Sequence, residues 1–461
     1  MAEINFGTDG VRGQYDQSGR LGAINEETFE RLAYASVQEA NQNSGDSSKT
    51  PLFIIGGDTR SSSSSLIEAA SDGAMFAGAE VWNIDTAPTP VIAKIAQNYG
   101  ASAIAITASH NPDGHNGFKL FQTGGIKANR ETLDSVEYLF SQLKENDNLS
   151  NYRGKVRLMP HLKDEYFGDI ISTFGWEDSF EGKTIVVDAA NGAAHELAPR
   201  IYRELGANVI EFACDPNQPI NKGCGAANLS GVTEFLRDNP ELTNDPNFLA
   251  AIAHDGDADR VMALDRFGRI LNGNHWMWQL AIDEPGIVGT KYTNGATRQA
   301  IIDSGTKFYE CENGDSNVTQ KLNELNSRRT SEIFRRGGEF TGHLIDLDHL
   351  SSGDGIYMAA WLAARSAQSG LSFEAMHENL PLWPERLENI HVDGIDPNAL
   401  LDNEHVQEVL VEAKKIANIL PRASGTEPVI RVWAEAKELE RVNFAVNSLV
   451  KAIRSQLVLQ R

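Results

Sequence analysis

Two stretches of this chain repeat one pattern, and that pattern narrows the fold more than any other feature. PLFIIGGDTRSSSSSLIEAASDGAMFAGAEVWNI (51–84) and TIVVDAANGAAHELAPRIYRELGANVIEF (184–212) share one order of segments. Each runs from an apolar strand through an Asp-containing turn into a helix-length segment, then a Gly-Ala break and a second strand. This βαβ order predicts sheets with helices packed against them. A weaker third echo begins at Thr306 with KFYECENGDSNVTQKL. The tail reads differently: EHVQEVLVEAKKI as a helix, ILPRAS and VIRVWAEA as strands around a loop. The closing helix carries Val442, Val446, Leu449 and Ile453 at helical spacing. The expectation is repeated α/β domains followed by a small α+β end domain.

A chain of 461 residues has room for several cores. Its boundaries are expected in polar stretches, KENDNLSNYRG (144–154) and the region before Phe373. The apolar runs, such as LAAIA (249–253), are too short to cross a bilayer. The opening MAEINFGTDG has no basic and apolar signal pattern, so a cytoplasmic location is expected. Cys214, Cys224 and Cys311 show no C-x-x-C spacing, which argues against a disulfide framework and a zinc site. The net charge of −23 disfavours nucleic acid and anionic membranes as partners. An anionic substrate would need locally concentrated Arg, Lys and backbone N–H groups.

Four loops carry residue types suited to phosphate chemistry. DGDADR (255–260) follows an apolar run and spaces Asp255, Asp257 and Asp259 two apart. In an extended segment their carboxylates would point the same way, a ligand set for a hard divalent cation such as Mg²⁺. An EF-hand is excluded, because Arg260 and Arg266 stand where such a loop needs Gly and Glu. Arg260 could neutralise a phosphoryl oxygen. In RASGTEPVIR (422–431), Ser424, Gly425 and Thr426 offer N–H groups and hydroxyls to an anion, and Arg422 and Arg431 offer guanidinium forks. GGEFTGH (337–343) sets Glu339, Thr341 and His343 among glycines, as in a loop that binds a polyol. ITASHNPDGHNGFKLF (106–121) places Ser109, His110 and Lys119 around a tight turn at the end of a hydrophobic strand. No G-x-x-x-x-G-K-[ST] occurs, so Ser109 itself is a candidate phosphate donor.

Together with FGTDGVRG (6–13) and LDHLSSGDG (347–355), these loops resemble those of the α-D-phosphohexomutases, in the family's order along nearly the whole chain. NQPINKGCGAANL (217–229) is similar to the branch that acts on glucosamine phosphate. Phe340 and Thr341 depart from that branch's usual Gln and Ser. The resemblance implies an α/β fold, three repeated α/β domains with mixed sheets plus a smaller C-terminal α+β domain around a central cleft. The implied boundaries are 1–157, 158–262, 263–373 and 374–461. It implies a phosphoserine at Ser109 and Mg²⁺ held by Ser109, Asp255, Asp257 and Asp259.

The implied activity interconverts glucosamine 6-phosphate and glucosamine 1-phosphate, with glucosamine 1,6-bisphosphate (or glucose 1,6-bisphosphate) as intermediate and activator. Arg260 and Lys119 would stabilise transferring charge, and Glu339 and Thr341 would hold sugar hydroxyls. Arg422, Ser424, Gly425, Thr426 and Arg431 would grip the distal phosphate. Lys119, His110, His343 and Arg12 are the candidates for general acid/base. The expected partner is a small phosphosugar, with no nucleic acid or membrane, and the enzyme a monomer or homodimer. Three alternatives stand beside this reading: a mutase of mannose or glucose phosphates, an Mg²⁺-dependent phosphatase using Asp257, and a non-catalytic phosphosugar-binding protein.

Overall fold

Four sheets organise the computed structural model, which describes residues 4–7, 9–18, 20–43, 50–143, 149, 154–175, 180–328, 331–392, 394–424 and 428–459. The chain divides into two compact units. One is Met1–Tyr292 with Ser304–Asn379, and the other is Thr293–Asp303 with Leu380–Arg461. Most of the 144–154 stretch lies outside the described residues.

The larger unit holds three mixed sheets. In the first, the strand order is Val11–Gln14, His115–Gln122, Ser102–Ile106, Leu52–Gly57, Glu80–Thr86, Lys155–Leu158, with Ile126–Lys127 beside His115–Gln122. Leu52–Gly57 is parallel to both Ser102–Ile106 and Glu80–Thr86, as the βαβ pattern of 51–84 requires. Ser102–Ile106 is buried at every position, which explains its unbroken run of small and apolar residues. The second sheet repeats the arrangement. Thr184–Asp188 is parallel to Asn208–Phe212 and to Phe248–His254, and the last of these turns back antiparallel into Val261–Leu264. In the third, Gly286–Thr290 is parallel to Lys307–Cys311 and Arg336–Gly338, and Arg336–Gly338 turns back into Leu344–Asp346.

One connection recurs. In each of these sheets, a strand running parallel to its neighbour ends, the chain turns, and an antiparallel partner follows. The turns are 107–114, 255–260 and 339–343, which are three of the four loops singled out in the sequence.

The smaller unit has a three-stranded antiparallel sheet, Glu385–His391, Val429–Glu435 and Asn418–Ala423. The helix Leu439–Leu459 buries Val442, Val446, Leu449 and Ile453 completely, as their spacing predicts. The helix Gly295–Asp303 belongs to this unit: the Gly295 N–H donates to Glu435 Oε2 at 2.8 Å.

The first sheet owes its core to Phe29, Leu32, Phe53 and Phe118. The Phe118 ring meets Phe29 edge-on at 5.5 Å. Phe118→Ala should destabilise the protein by about 3–5 kcal/mol. Tyr138→Ala, at a side chain 64 % exposed on a helix of the same unit, should stay within about 0.5 kcal/mol. Urea denaturation of both variants checks the contrast, and equal costs would contradict this core assignment.

Candidate active site

The strand Ser102–Ile106 delivers Thr107 and Ser109 to its end, where the chain turns sharply. Ser109 is fully buried and adopts φ +52°, the left-handed region that a residue with a Cβ enters at a cost. Several contacts hold it there. Its N–H donates to Thr107 Oγ1 at 2.8 Å, and its carbonyl accepts from Arg60 Nη2 at 2.9 Å and Asn221 Nδ2 at 2.8 Å.

Arg60 organises the whole turn. Its guanidinium donates to the carbonyls of Ser109, Asn111, Pro112 and His115. Its Nε pairs with Asp58 at 2.9 Å, and both side chains are wholly buried. Burial pushes the Asp58 carboxyl upward, and the Arg60 charge with the Thr107 and Ser63 hydroxyls acts against it. Asp58 and Arg60 come from the GGDTR turn of the first βαβ unit, which the sequence marked only as Asp-containing.

The second sheet supplies DGDADR. Expectation and structure differ in the cause here. Residues 255–260 form a turn rather than an extended segment, with Ala258 at φ +58° and its N–H bonded to the Asp255 carbonyl at 3.0 Å. The turn, rather than strand alternation, gathers the buried carboxylates of Asp255, Asp257 and Asp259, one oxygen of each lying within 4.8 Å of the others. Gly256 brings this turn against the serine loop: a Cβ there would stand 2.6 Å from the Ser109 carbonyl oxygen. Ser109 Oγ donates to Asp255 Oδ2 at 2.7 Å.

Lys119, buried on His115–Gln122, reaches Asp257 Oδ2 and Asp259 Oδ2, both at 2.7 Å. Burial opposes its charge, but Asp257, Asp259 and Asp9 raise its pKa well above the usual lysine value. Thr89 Oγ1 also donates to Asp257 Oδ2 at 2.6 Å. Burial, then Asp259 and Asp257, push the Asp255 carboxyl well above the carboxylate range. For Asp259, burial works upward, yet His343 and Lys119 hold it down at about 2. Asp257 Oδ1 and Asp259 Oδ1 are buried with no hydrogen-bond partner among the described residues. A close, all-oxygen donor set with unused lone pairs fits a hard divalent cation.

The other predicted residues of this unit fall around the same cluster. His110 Nδ1 stands 3.4 Å from Ser109 Oγ. Burial, then Arg260 and Arg12, push this imidazole down to about 3, so it is neutral at ordinary pH. Arg260 Nε lies 3.7 Å from Asp255 Oδ2, and His343 Nε2 lies 3.6 Å from Asp259 Oδ1. Arg260 and His343 also pair through their backbones as an antiparallel bridge, which ties the sugar-loop candidate to the aspartate turn. Arg12 forms an ion pair with Asp9. Glu339 is buried and accepts the Gly314 N–H at 2.9 Å, while the Thr341 hydroxyl is buried without a hydrogen-bond partner among the described residues.

In the smaller unit Arg422 and Arg431 face each other across paired strands, and the Ser424 N–H closes the hairpin on the Val429 carbonyl at 2.8 Å. Gly425 and Thr426 lie outside the described residues.

Residue-level reading missed Asp58, Arg60 and Thr107 as parts of the site, and it gave Asn221 and Asp9 no role. Asn221 and Asp9 do sit in the quoted segments NQPINKGCGAANL and FGTDGVRG, the one signal that marked them.

Comparisons with known proteins agree along the chain. Family models described as phosphoglucomutase/phosphomannomutase alpha/beta/alpha domains I, II and III match residues 3–147, 164–268 and 270–382. Phosphoglucosamine mutase of Acidovorax ebreus is 34 % identical over 99 % of this chain and 100 % of its own length. A phosphoglucomutase/phosphomannomutase family protein from Burkholderia thailandensis superposes with a TM-score of 0.75 at 20 % identity, over 97 % of both chains. N-acetylphosphoglucosamine mutase of Aspergillus fumigatus, solved with GlcNAc-6P and magnesium, gives a TM-score of 0.64 at 15 % identity, over 98 % of this chain and 95 % of its own.

Arg60→Met should cost about 3–5 kcal/mol in urea denaturation, because it leaves the Asp58 charge buried and unpaired and orphans the loop carbonyls. Adding Asp58→Asn should recover part of that loss. A double variant as unstable as the sum of the singles would show that the two side chains do not act as a pair.

Proposed function

The chain belongs to the phosphoglucomutase/phosphomannomutase family, the α-D-phosphohexomutases, and from that membership we propose that it interconverts glucosamine 6-phosphate and glucosamine 1-phosphate. The enzyme is an isomerase of the phosphohexomutase type. The observation that carries the proposal is the Ser109 hydroxyl held 2.7 Å from Asp255, on a buried aspartate triad that also pairs with Lys119. The support for glucosamine is the full-length likeness to phosphoglucosamine mutases. Four domains are part of the reading, at 1–157, 158–262, 263–373 and 374–461.

In the first half-reaction the Oγ–P bond of phosphoserine 109 breaks as a free sugar hydroxyl oxygen bonds to phosphorus; the hydroxyl proton passes to a base, and the departing Ser109 Oγ takes up a proton. The product is the 1,6-bisphosphate. In the second half, the sugar O–P bond at the other end breaks as that phosphorus bonds to Ser109 Oγ; the Oγ proton passes to a base, and the freed sugar oxygen takes up a proton. The net change is a moved phosphate. Mg²⁺ held by Asp255, Asp257, Asp259 and a Ser109 phosphate oxygen would supply electrostatic stabilisation of the transferring group.

Lys119 and Arg260, already beside the triad, add positive charge where phosphoryl oxygens develop negative charge. His110 stands next to the reacting oxygen, with Lys119, Arg12 and His343 in the surrounding cluster, and proton transfer is assigned to this group. Glu339 and the unsatisfied Thr341 hydroxyl would hold sugar hydroxyls. Arg422, Ser424, Gly425, Thr426 and Arg431 would bind the phosphate that is not reacting.

Initial rates on glucosamine, N-acetylglucosamine, glucose and mannose phosphates, each primed with its bisphosphate, test the reading. Glucosamine phosphate should be preferred by orders of magnitude, and Ser109→Ala should lose about a thousandfold or more in kcat. A preference for glucose or mannose phosphate would reassign the substrate within the family. An unaffected Ser109→Ala enzyme would remove the phosphoserine mechanism.

A further inference from the structure

Asp9, in the FGTDGVRG motif, has no part in the chemistry above, yet it joins the buried Lys119 to the partly buried Lys127. Its Oδ2 pairs with Arg12 and stands 3.3 Å from Lys119 Nζ, while its Oδ1 pairs with Lys127. Lys127 in turn is gripped by Asp315, at 2.7 Å to Oδ1 and 2.9 Å to Oδ2. Asp315 opens the helix Asp315–Ser327, and the preceding Gly314 N–H binds Glu339. A continuous line of alternating charge therefore runs from Asp257 and Asp259 through Lys119, Asp9 and Lys127 to Asp315.

Local geometry fixes the line. Gly10, at φ +90°, lets the turn lie on the strand His115–Gln122, because a Cβ there would stand 2.4 Å from the Phe118 carbonyl oxygen. Lys127 is set beside that strand by its pairing with Phe121. An ammonium has three protons to donate. Two from Lys119 go to Asp257 and Asp259, and the third faces Asp9.

We propose that Asp9 is a positioning residue: with its charge divided between Lys127 and Lys119, and Asp315 drawing on Lys127 from the other side, it competes with Asp257 and Asp259 for the Lys119 ammonium. It thereby sets how available the triad is to a divalent cation and how available Lys119 is to a transferring phosphoryl group. Without Asp9, Lys119 is left to Asp257 and Asp259 and competes harder with the cation. Without Lys127, Asp9 turns its full charge on Arg12 and Lys119 and draws the ammonium off the triad. The catalytic consequence rests on the mutase reading above; the effect on cation binding does not.

The test is Mn²⁺ binding to the full-length, unphosphorylated protein, followed through the paramagnetic resonance of free Mn²⁺. Asp9→Asn should weaken binding and Lys127→Met should tighten it, each by about five- to tenfold, with Lys127→Arg near wild type. The deciding variant is the double. If Lys127 acts through Asp9, Asp9→Asn/Lys127→Met binds like Asp9→Asn alone. A double that returns toward wild-type affinity would mean two independent long-range charges and would overturn the proposal, as would weakening in every variant.

Should Lys127→Met fail to fold, Asp315→Asn reads the same link. It should weaken binding, and Asp9→Asn/Asp315→Asn should match Asp9→Asn. In the mutase assay Asp9→Asn should lower kcat several-fold with KM nearly unchanged. A wild type inactive on every hexose phosphate with the Mn²⁺ pattern intact removes only the mutase reading. Normal mutase activity with Mn²⁺ affinities that do not move removes only this one.

Discussion

The buried Arg60–Asp58 pair is the contact on which the rest of the larger unit's chemistry depends. A turn that carries Ser109 at a strand end leaves its carbonyls with no ladder partners. Arg60 donates to those of Ser109, Asn111, Pro112 and His115, and Asp58 balances its charge in the interior. Ser109 is then held in a left-handed conformation that a residue with a Cβ does not keep unaided. With the serine held, its hydroxyl meets Asp255, and Gly256 allows the two loops to touch. Positioning of this kind is most of what phosphoryl transfer asks of a protein scaffold.

The recurrence of one connection explains how the chain assembles such a site from segments far apart in sequence. Each sheet of the larger unit ends a parallel run with a turn into an antiparallel strand, and the chemistry-bearing residues occupy those turns. Strand ends free side chains from the alternation of the sheet, while the covered strands beneath hold the turns steady. The LDHLSSGDG segment supports this from behind: Asp354 caps the helix Gly355–Ser369, and the Gly355 N–H donates to the Ala258 carbonyl of the aspartate turn at 3.0 Å.

Much of this was legible in the residues. The βαβ repeats at 51–84 and 184–212 predicted parallel strands because apolar runs and Gly-Ala breaks report burial and turns locally. Asp255, Asp257 and Asp259 were legible as a set because three neighbouring carboxylates repel one another unless a cation is near, while Ser109 was joined to them only by the family resemblance. The reason offered for their convergence was wrong: a left-handed Ala258 gathers them, and nothing in the side chain of an alanine announces that φ. Asp58, Arg60, Asn221 and Asp9 carried no local signal of their roles. The contacts that give them those roles reach far along the chain, Arg60 and Asn221 to Ser109 and Asp9 to Lys127, and periodicity cannot report such pairings.

By itself, then, the sequence determined the α/β class, the order of the loops and the residue types available to a phosphate and a cation. Those properties depend on near neighbours in the chain, through burial, turn formation and like-charge crowding. The tertiary structure alone decided that Lys119 is shared among Asp257, Asp259 and Asp9, and that Arg60 lies under Ser109. It also decided that burial keeps His110 neutral beside the Ser109 hydroxyl. Such outcomes are set by distance and dielectric between groups remote in sequence, and those exist only once the sheets have formed.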